Sequence, residues 1–133
     1  MTRRTRWLLA ALAWMLVIFW FSSQPSLPKV SDDFLDLLVK KGGHALAYGI
    51  LWMLWWRATG RPWLALAFAV LYAIFDEVHQ LFVPGRNGWW LDVVVDTAGA
   101  LLALWFSISR RGQQVIARIG VRNAFNHDVP EQF

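Results

Sequence analysis

Four apolar stretches, separated by breaks that a helix cannot easily cross, restrict this chain more than any other feature. They run from residue 7 to about 23, from 37 to 56, from 62 to about 82, and from about 89 to 109. Each approaches the ~20 residues a helix needs to cross a hydrocarbon core. Pro25 closes the first, because proline lacks the N–H that would continue the ladder. The linker Arg57-Ala-Thr-Gly-Arg-Pro62 is short and turn-like, which makes the second and third stretches antiparallel neighbours. Pro84-Gly85 ends the third. With 57% hydrophobic residues, ten Trp and no Cys, the chain reads as a membrane protein and has neither disulfides nor thiolate chemistry. The expected fold is all-α: a bundle of four transmembrane helices over residues 1–109, followed by a basic tail, 110–133, interfacial or disordered.

Arg3, Arg4 and Arg6 ahead of an apolar run also fit a secretory signal. No convincing small-x-small cleavage site precedes Pro25 and three more apolar stretches follow, so an uncleaved first span is expected. The net charge of +4 does not point to nucleic acid, since the arginines flank apolar runs instead of forming one stripe. Arg57, Arg61, Arg110, Arg111, Arg118 and Arg122 join the N-terminal three on one side; Lys29, Lys40, Lys41 and Arg86 fall on the other. Both termini are then expected in the cytoplasm of a multi-pass protein of the inner or plasma membrane, with loops 24–36 and 83–90 outside. Trp7, Trp55, Trp56 and Trp63 would mark the inner interface, and Trp20, Trp89 and Trp90 the outer one.

The stretch from Tyr72 to Arg86 carries the chemistry. On a helix Tyr72, Asp76, His79 and Gln80 share a face, while Phe75, Val78 and Phe82 lie elsewhere. Ionisable groups in a membrane segment are costly enough that they normally face a protein interior or a wet cavity. His44, Asp76 and Asp96 each sit about six or seven residues, roughly 10 Å, from the outer end of their own segment. Three helices would thus deliver polar groups to one level. Tyr48 and Tyr72 fall a turn deeper, Lys40, Lys41, Gln80 and Asp92 a turn shallower, and Glu77, His79 and Arg86 ring the mouth. The expectation is an outward-facing polar pocket.

Imidazoles beside carboxylates suit acid/base or nucleophilic work, so His44, Asp76, His79 and Asp96 are the candidate catalytic residues. Lys41, Tyr48, Tyr72, Glu77, Gln80, Arg86 and Asp92 are the candidate substrate-binding residues, with Arg86 and the lysines suited to a phosphate, pyrophosphate or carboxylate head group. The competing readings are structural. Lys40 and Lys41 would snorkel, Arg86 would pair with Asp92, and His44 would bond a carboxylate on a neighbouring helix. No cofactor is indicated. The two His and two Asp could take a divalent metal, but no tight ligand spacing such as His-Glu-x-x-His occurs.

Several motifs together resemble the VanZ-like family. They are Phe21-Ser-Ser-Gln-Pro25, Lys41-x-x-His44-x-x-x-Tyr48, Asp76-Glu-x-His-Gln80-x-Phe-x-Pro-Gly-Arg86, and Asp92-x-x-x-Asp96-x-x-Gly99. The chain departs from the family at Ala103, where another Gly is common, and in its basic tail. The resemblance implies a small integral membrane protein whose family namesake is associated with low-level resistance to the glycopeptide teicoplanin. It also implies intramembrane chemistry on lipids or lipid-linked envelope precursors. That association does not carry resistance over to this chain. Three functions follow as expectations: an enzyme of phosphoester- or acyl-type chemistry on lipid head groups, a non-enzymatic accessory or binding protein, and a small transporter. The last is least favoured because four spans without an inverted repeat offer little alternating-access machinery. Expected partners are membrane lipids and a lipid-linked envelope precursor, with no nucleic acid; substrate, metal and oligomeric state stay open.

Overall fold

The structure, a computed structural model, describes residues 1–25, 33–86, 88–109 and 112–114. Four helices make up the bundle: α1 (Arg3–Ser22), α2 (Asp33–Thr59), α3 (Pro62–Gln80) and α4 (Trp90–Ile108). No strand occurs among the described residues. α1 starts four residues earlier than its apolar run, because the Thr2 side chain accepts a hydrogen bond from the Thr5 N–H at 3.2 Å and caps the helix. Arg3, Arg4 and Arg6 therefore occupy the first two turns, where the helix dipole disfavours cations. α3 begins with Pro62 in its first turn, where a missing N–H costs nothing.

α1, α3 and α4 are long and apolar enough to cross a membrane. α2 has the length, 27 residues or about 40 Å, but Lys40, Lys41, His44 and Tyr48 dilute its apolar character. It runs unbroken through Gly42-Gly43, so the glycines do not interrupt it and residues 33–36 are its first turn. Much of loop 24–36 and most of the basic tail lie outside the described residues.

The helices alternate in direction. Arg57 near the end of α2 lies over the Trp7 ring near the start of α1, 4.8 Å from its centroid. Arg3, Arg4, Arg6, Arg57 and Arg61 consequently gather at one end, and Lys40, Lys41 and Arg86 at the other. α2 is the central element, packed against all three others, whereas α1 touches α3 only lightly. Its aromatic residues therefore turn inward. Trp52 and Trp56 stack with ring centroids 5.2 Å apart in a cluster with Ala65, Ala69, Ala100 and Leu104, and Trp55 packs against that cluster. Trp56 is thus a core residue and Trp55 a half-buried one packed on the core, whereas Trp20, Trp63, Trp89 and Trp90 are exposed near the helix ends, as belt residues should be.

Small residues set the α2/α4 seam. A Cβ at Gly49 would sit 3.3 Å from the Gly99 carbonyl oxygen and 3.7 Å from the Ala103 Cβ, and one at Gly99 would run into the Ala45 carbonyl. Ala45, Gly49, Gly99 and Ala103 thus form a small-xxx-small contact on both helices, and Ala103 is accommodated in ordinary contact. Side chains tie the remaining pairs. Trp14 Nε1 donates to Ala47 O at 2.9 Å, Trp52 Nε1 to Pro62 O at 3.1 Å and Tyr72 Oη to Met15 O at 2.6 Å. Such interhelical bonds average only about 0.6 kcal/mol in a membrane, so close packing at the seam does more to hold the bundle than any one of them.

Candidate functional site

The polar residues converge at the end of the bundle opposite the arginines. On α3, Tyr72, Asp76 and Gln80 are buried while Phe75, Val78 and Phe82 are exposed, as the spacing predicts. Asp76 and Gln80 are each 1% exposed, so in a membrane they are screened from lipid by protein. Gln80 Nε2 donates to Ser22 Oγ of α1 at 2.8 Å and to Asp76 Oδ2 at 3.4 Å. Its Oε1 accepts from Arg86 Nη1 at 3.4 Å.

Arg86 continues this chain to the end of α1. Gly85, with φ +79°, turns the backbone in the left-handed region that favours glycine, immediately before Arg86. The guanidinium then donates from Nε to Gln24 O at 3.1 Å and from Nη2 to Phe21 O at 3.2 Å. Arg86 therefore ties the loop after α3 to the C-terminal end of α1, adding to the backbone bond that Phe21 O accepts from the Gln24 N–H. Asp92, the partner suggested for it by the sequence, pairs instead with Lys41. Arg86→Ala is expected to lower stability by about 1–3 kcal/mol, read as the thermal midpoint in detergent. Arg86→Lys should recover only part, since one ammonium cannot span the acceptors that a guanidinium fork reaches.

α2 and α4 meet through ion pairs at two levels. Lys41 pairs with Asp92, and one turn deeper His44 Nδ1 lies 3.2 Å from Asp96 Oδ1. The Gly99 seam makes this second pairing reachable, because Ala45 follows His44 and Gly99 lies one turn beyond Asp96. Asp96 is 2% exposed and His44 about a quarter. The contact is at ion-pair distance without the alignment of a hydrogen bond; with the proton on Nδ1, beside the carboxylate, Nε2 carries the lone pair and can take a proton from a bound group. Asp76 stands within electrostatic reach of both His44 and Asp96, and Tyr48 within reach of Asp76 and Asp96. Among the described residues Tyr48 Oη, Asp76 Oδ1 and Asp96 Oδ1 are buried without a hydrogen-bond partner.

The remaining candidates fall elsewhere. His79 lies against the Phe19 ring of α1, centroids 4.3 Å apart, and not in the His44–Asp96 group. Glu77 accepts a hydrogen bond from the Trp89 N–H and so caps the start of α4, where a carboxylate also suits the helix dipole. Tyr72 is held by the Met15 carbonyl. Among the described residues no three His, Asp or Glu side chains are grouped to hold a metal.

A cavity of about 380 Å3 lies between α1 and α2. His44, Tyr48, Lys40, Ser22 and Arg86 line it, and apolar side chains of both helices form the rest of the wall. The polar pocket expected from the sequence is thus a largely apolar crevice with a polar end, because Asp76, Gln80 and Asp96 turn inward to one another and to their neighbours. Ser22 was not singled out as a site residue in the sequence, where it reads only as the end of a span. The available signal was a hydroxyl at the last turn of a membrane helix, followed by a break.

Comparison with curated proteins and with solved structures returned no match. A family model described as VanZ/LLP1 matches residues 7–111, which takes in α1 from Trp7, the whole of α2, α3 and α4, and every residue of the polar end. By that match, the chain belongs to the VanZ/LLP1 family.

Proposed function

We propose that this is a four-span protein of the inner or plasma membrane, with both termini cytoplasmic, that binds and acts on a cell-envelope lipid or lipid-linked precursor. The arginine-rich end supports the orientation, since cationic residues next to membrane spans stay on the cytoplasmic side. α2 completes the four spans in this reading; its polar side chains at the site end face protein and the crevice, where an intramembrane polar group is tolerated.

One observation carries the function: His44 both pairs with buried Asp96 and lies at the polar end of a crevice that is apolar along the rest of its length. Asp96 orients the imidazole, and Nε2 acts as general base or acid on a head group whose tail occupies the apolar part. Asp76 and Tyr48 complete the polar wall behind it. The test is incubation of the purified protein with labelled lipids and lipid-linked precursors, with and without divalent metal. Wild type should convert one of them, and His44→Gln, whose amide can still donate to Asp96, should be slower by about 10²-fold or more. An unchanged panel under all conditions would rule out the enzymatic reading.

A second reading, a binding or accessory protein, is favoured by how many polar groups serve helix–helix contacts: Lys41 with Asp92, Glu77 with Trp89, and Arg86 with α1. In that case His44→Gln weakens lipid binding and no turnover is found in wild type.

A further inference from the structure

The crevice between α1 and α2 differs along its length in a way that restricts its occupant. Trp14, Ile18 and Ile50 line its apolar part, and its rim carries Val17, Val39 and Leu46, which are 40%, 52% and 66% exposed. Apolar side chains this exposed on a membrane helix face lipid, so the crevice opens sideways into the bilayer. At the end near the helix termini the lining changes to Ser22, Lys40, His44 and Arg86.

The charged side chains that line that end are cationic, Lys40 and Arg86, with the carboxylates of Asp76 and Asp96 packed behind the wall and not in it. Lys40 is matched by Asp36, 2.7 Å away. Among the described residues Arg86 donates to neutral oxygens, those of Phe21, Gln24 and Gln80, and two of its five N–H groups remain for a ligand at the crevice it lines. We infer that the crevice takes a single-tailed amphiphile with a phosphate-class head group, which slides in from the bilayer with its tail between α1 and α2 and its head against Arg86 and Lys40. This deepens the lipid reading given above and rests on it.

Three features favour a phosphate over other heads. A neutral head would leave the Arg86 charge uncompensated in a low-dielectric setting. A carboxylate has two oxygens, whereas a phosphate offers enough to meet Arg86 on the loop after α3, Lys40 on α2 and the Ser22 hydroxyl on α1 together. The volume, about 380 Å3, is at the low end of the roughly 300–1,000 Å3 typical of ligand sites and suits one chain.

Gly43 supplies the control. It lines the crevice, and a Cβ there would meet nothing within 4 Å, so Gly43→Leu should fill the space without disturbing the fold. The experiment uses the full chain in nanodiscs and measures displacement of radiolabelled hexadecyl phosphate by unlabelled hexadecyl phosphate, by the hexadecyl ether of glycerol, and by inorganic phosphate. The phosphate amphiphile should bind about tenfold tighter than the neutral ether, the step expected from one charge-assisted contact. Gly43→Leu should abolish binding of both, and Lys40→Gln should shrink the preference while sparing the ether.

Equal affinity for the two amphiphiles, lost in Gly43→Leu and unmoved by Lys40→Gln, overturns the head-group assignment and leaves the lipid reading standing. Displacement by inorganic phosphate at the concentrations where hexadecyl phosphate acts overturns the part given to the tail. Binding no better than to empty nanodiscs, or binding unaffected by Gly43→Leu, overturns both this inference and the lipid site beneath it.

Discussion

Gly99→Leu should unfold or severely destabilise the protein, by more than about 3 kcal/mol, the upper end of what overpacking normally costs. The obstacle at this position is the Ala45 carbonyl, part of a helix backbone that cannot rotate out of the way as a side chain could. α2 and α4 would have to separate, and α2 is the helix that packs against every other element. The 3.2 Å contact between His44 and Asp96 would open with them, so any folded remnant should also lose activity or binding at the crevice. Gly43→Ala is the matched control: the same helix type gains a methyl in open space and should be neutral or more stable by about 0.5–1 kcal/mol. Thermal midpoints of the two variants in detergent decide the matter, and similar values for both would mean that the helices do not approach as closely as described.

The second large effect is expected at the His44–Asp96 pair. His44→Ala leaves a carboxylate that is 2% exposed without its partner. The cost should lie between the roughly 1–3 kcal/mol of a buried polar group left unsatisfied and the about 3–5 kcal/mol of a broken buried ion pair. Adding Asp96→Asn should return part of it, since a neutral amide is cheaper to bury alone than a carboxylate. The cycle of two single variants and the double variant should therefore show a coupling of about 0.5–3 kcal/mol. Simple additivity would mean that the two side chains do not interact, and the orienting role of Asp96 would fall with it.

Much of this arrangement was legible in the residues. Helix number follows from four apolar runs and their proline and glycine breaks, and the start of α3 at Pro62 agrees with the expected boundary. The burial of Asp76 and Gln80 on one side of α3 follows from a spacing of four. Counting residues from the helix ends brought His44 and Asp96 to one level, where they are in fact in contact. His79 was grouped with Asp76, but three positions along a helix rotate a side chain by roughly 60° from it, enough to put the ring against Phe19 of α1. Arg86 could not be assigned from the sequence, because two of its three acceptors lie more than sixty positions away at the end of α1. The inward packing of Trp55 and Trp56 follows from α2 being the central helix, which four similar apolar runs do not reveal.

The sequence by itself determined that this chain is helical, that at least three of its segments suit a membrane, and that ionisable groups collect towards one end of them. Periodicity, length and breaks are local properties, and local properties are enough for those conclusions. Only the tertiary structure decided which charge meets which, that most of the polar end is packed between helices, and that the open space is an apolar crevice beside α1. Those depend on how closely and at what rotation two helices approach, and that is set where Gly99 meets Ala45, between residues more than fifty positions apart.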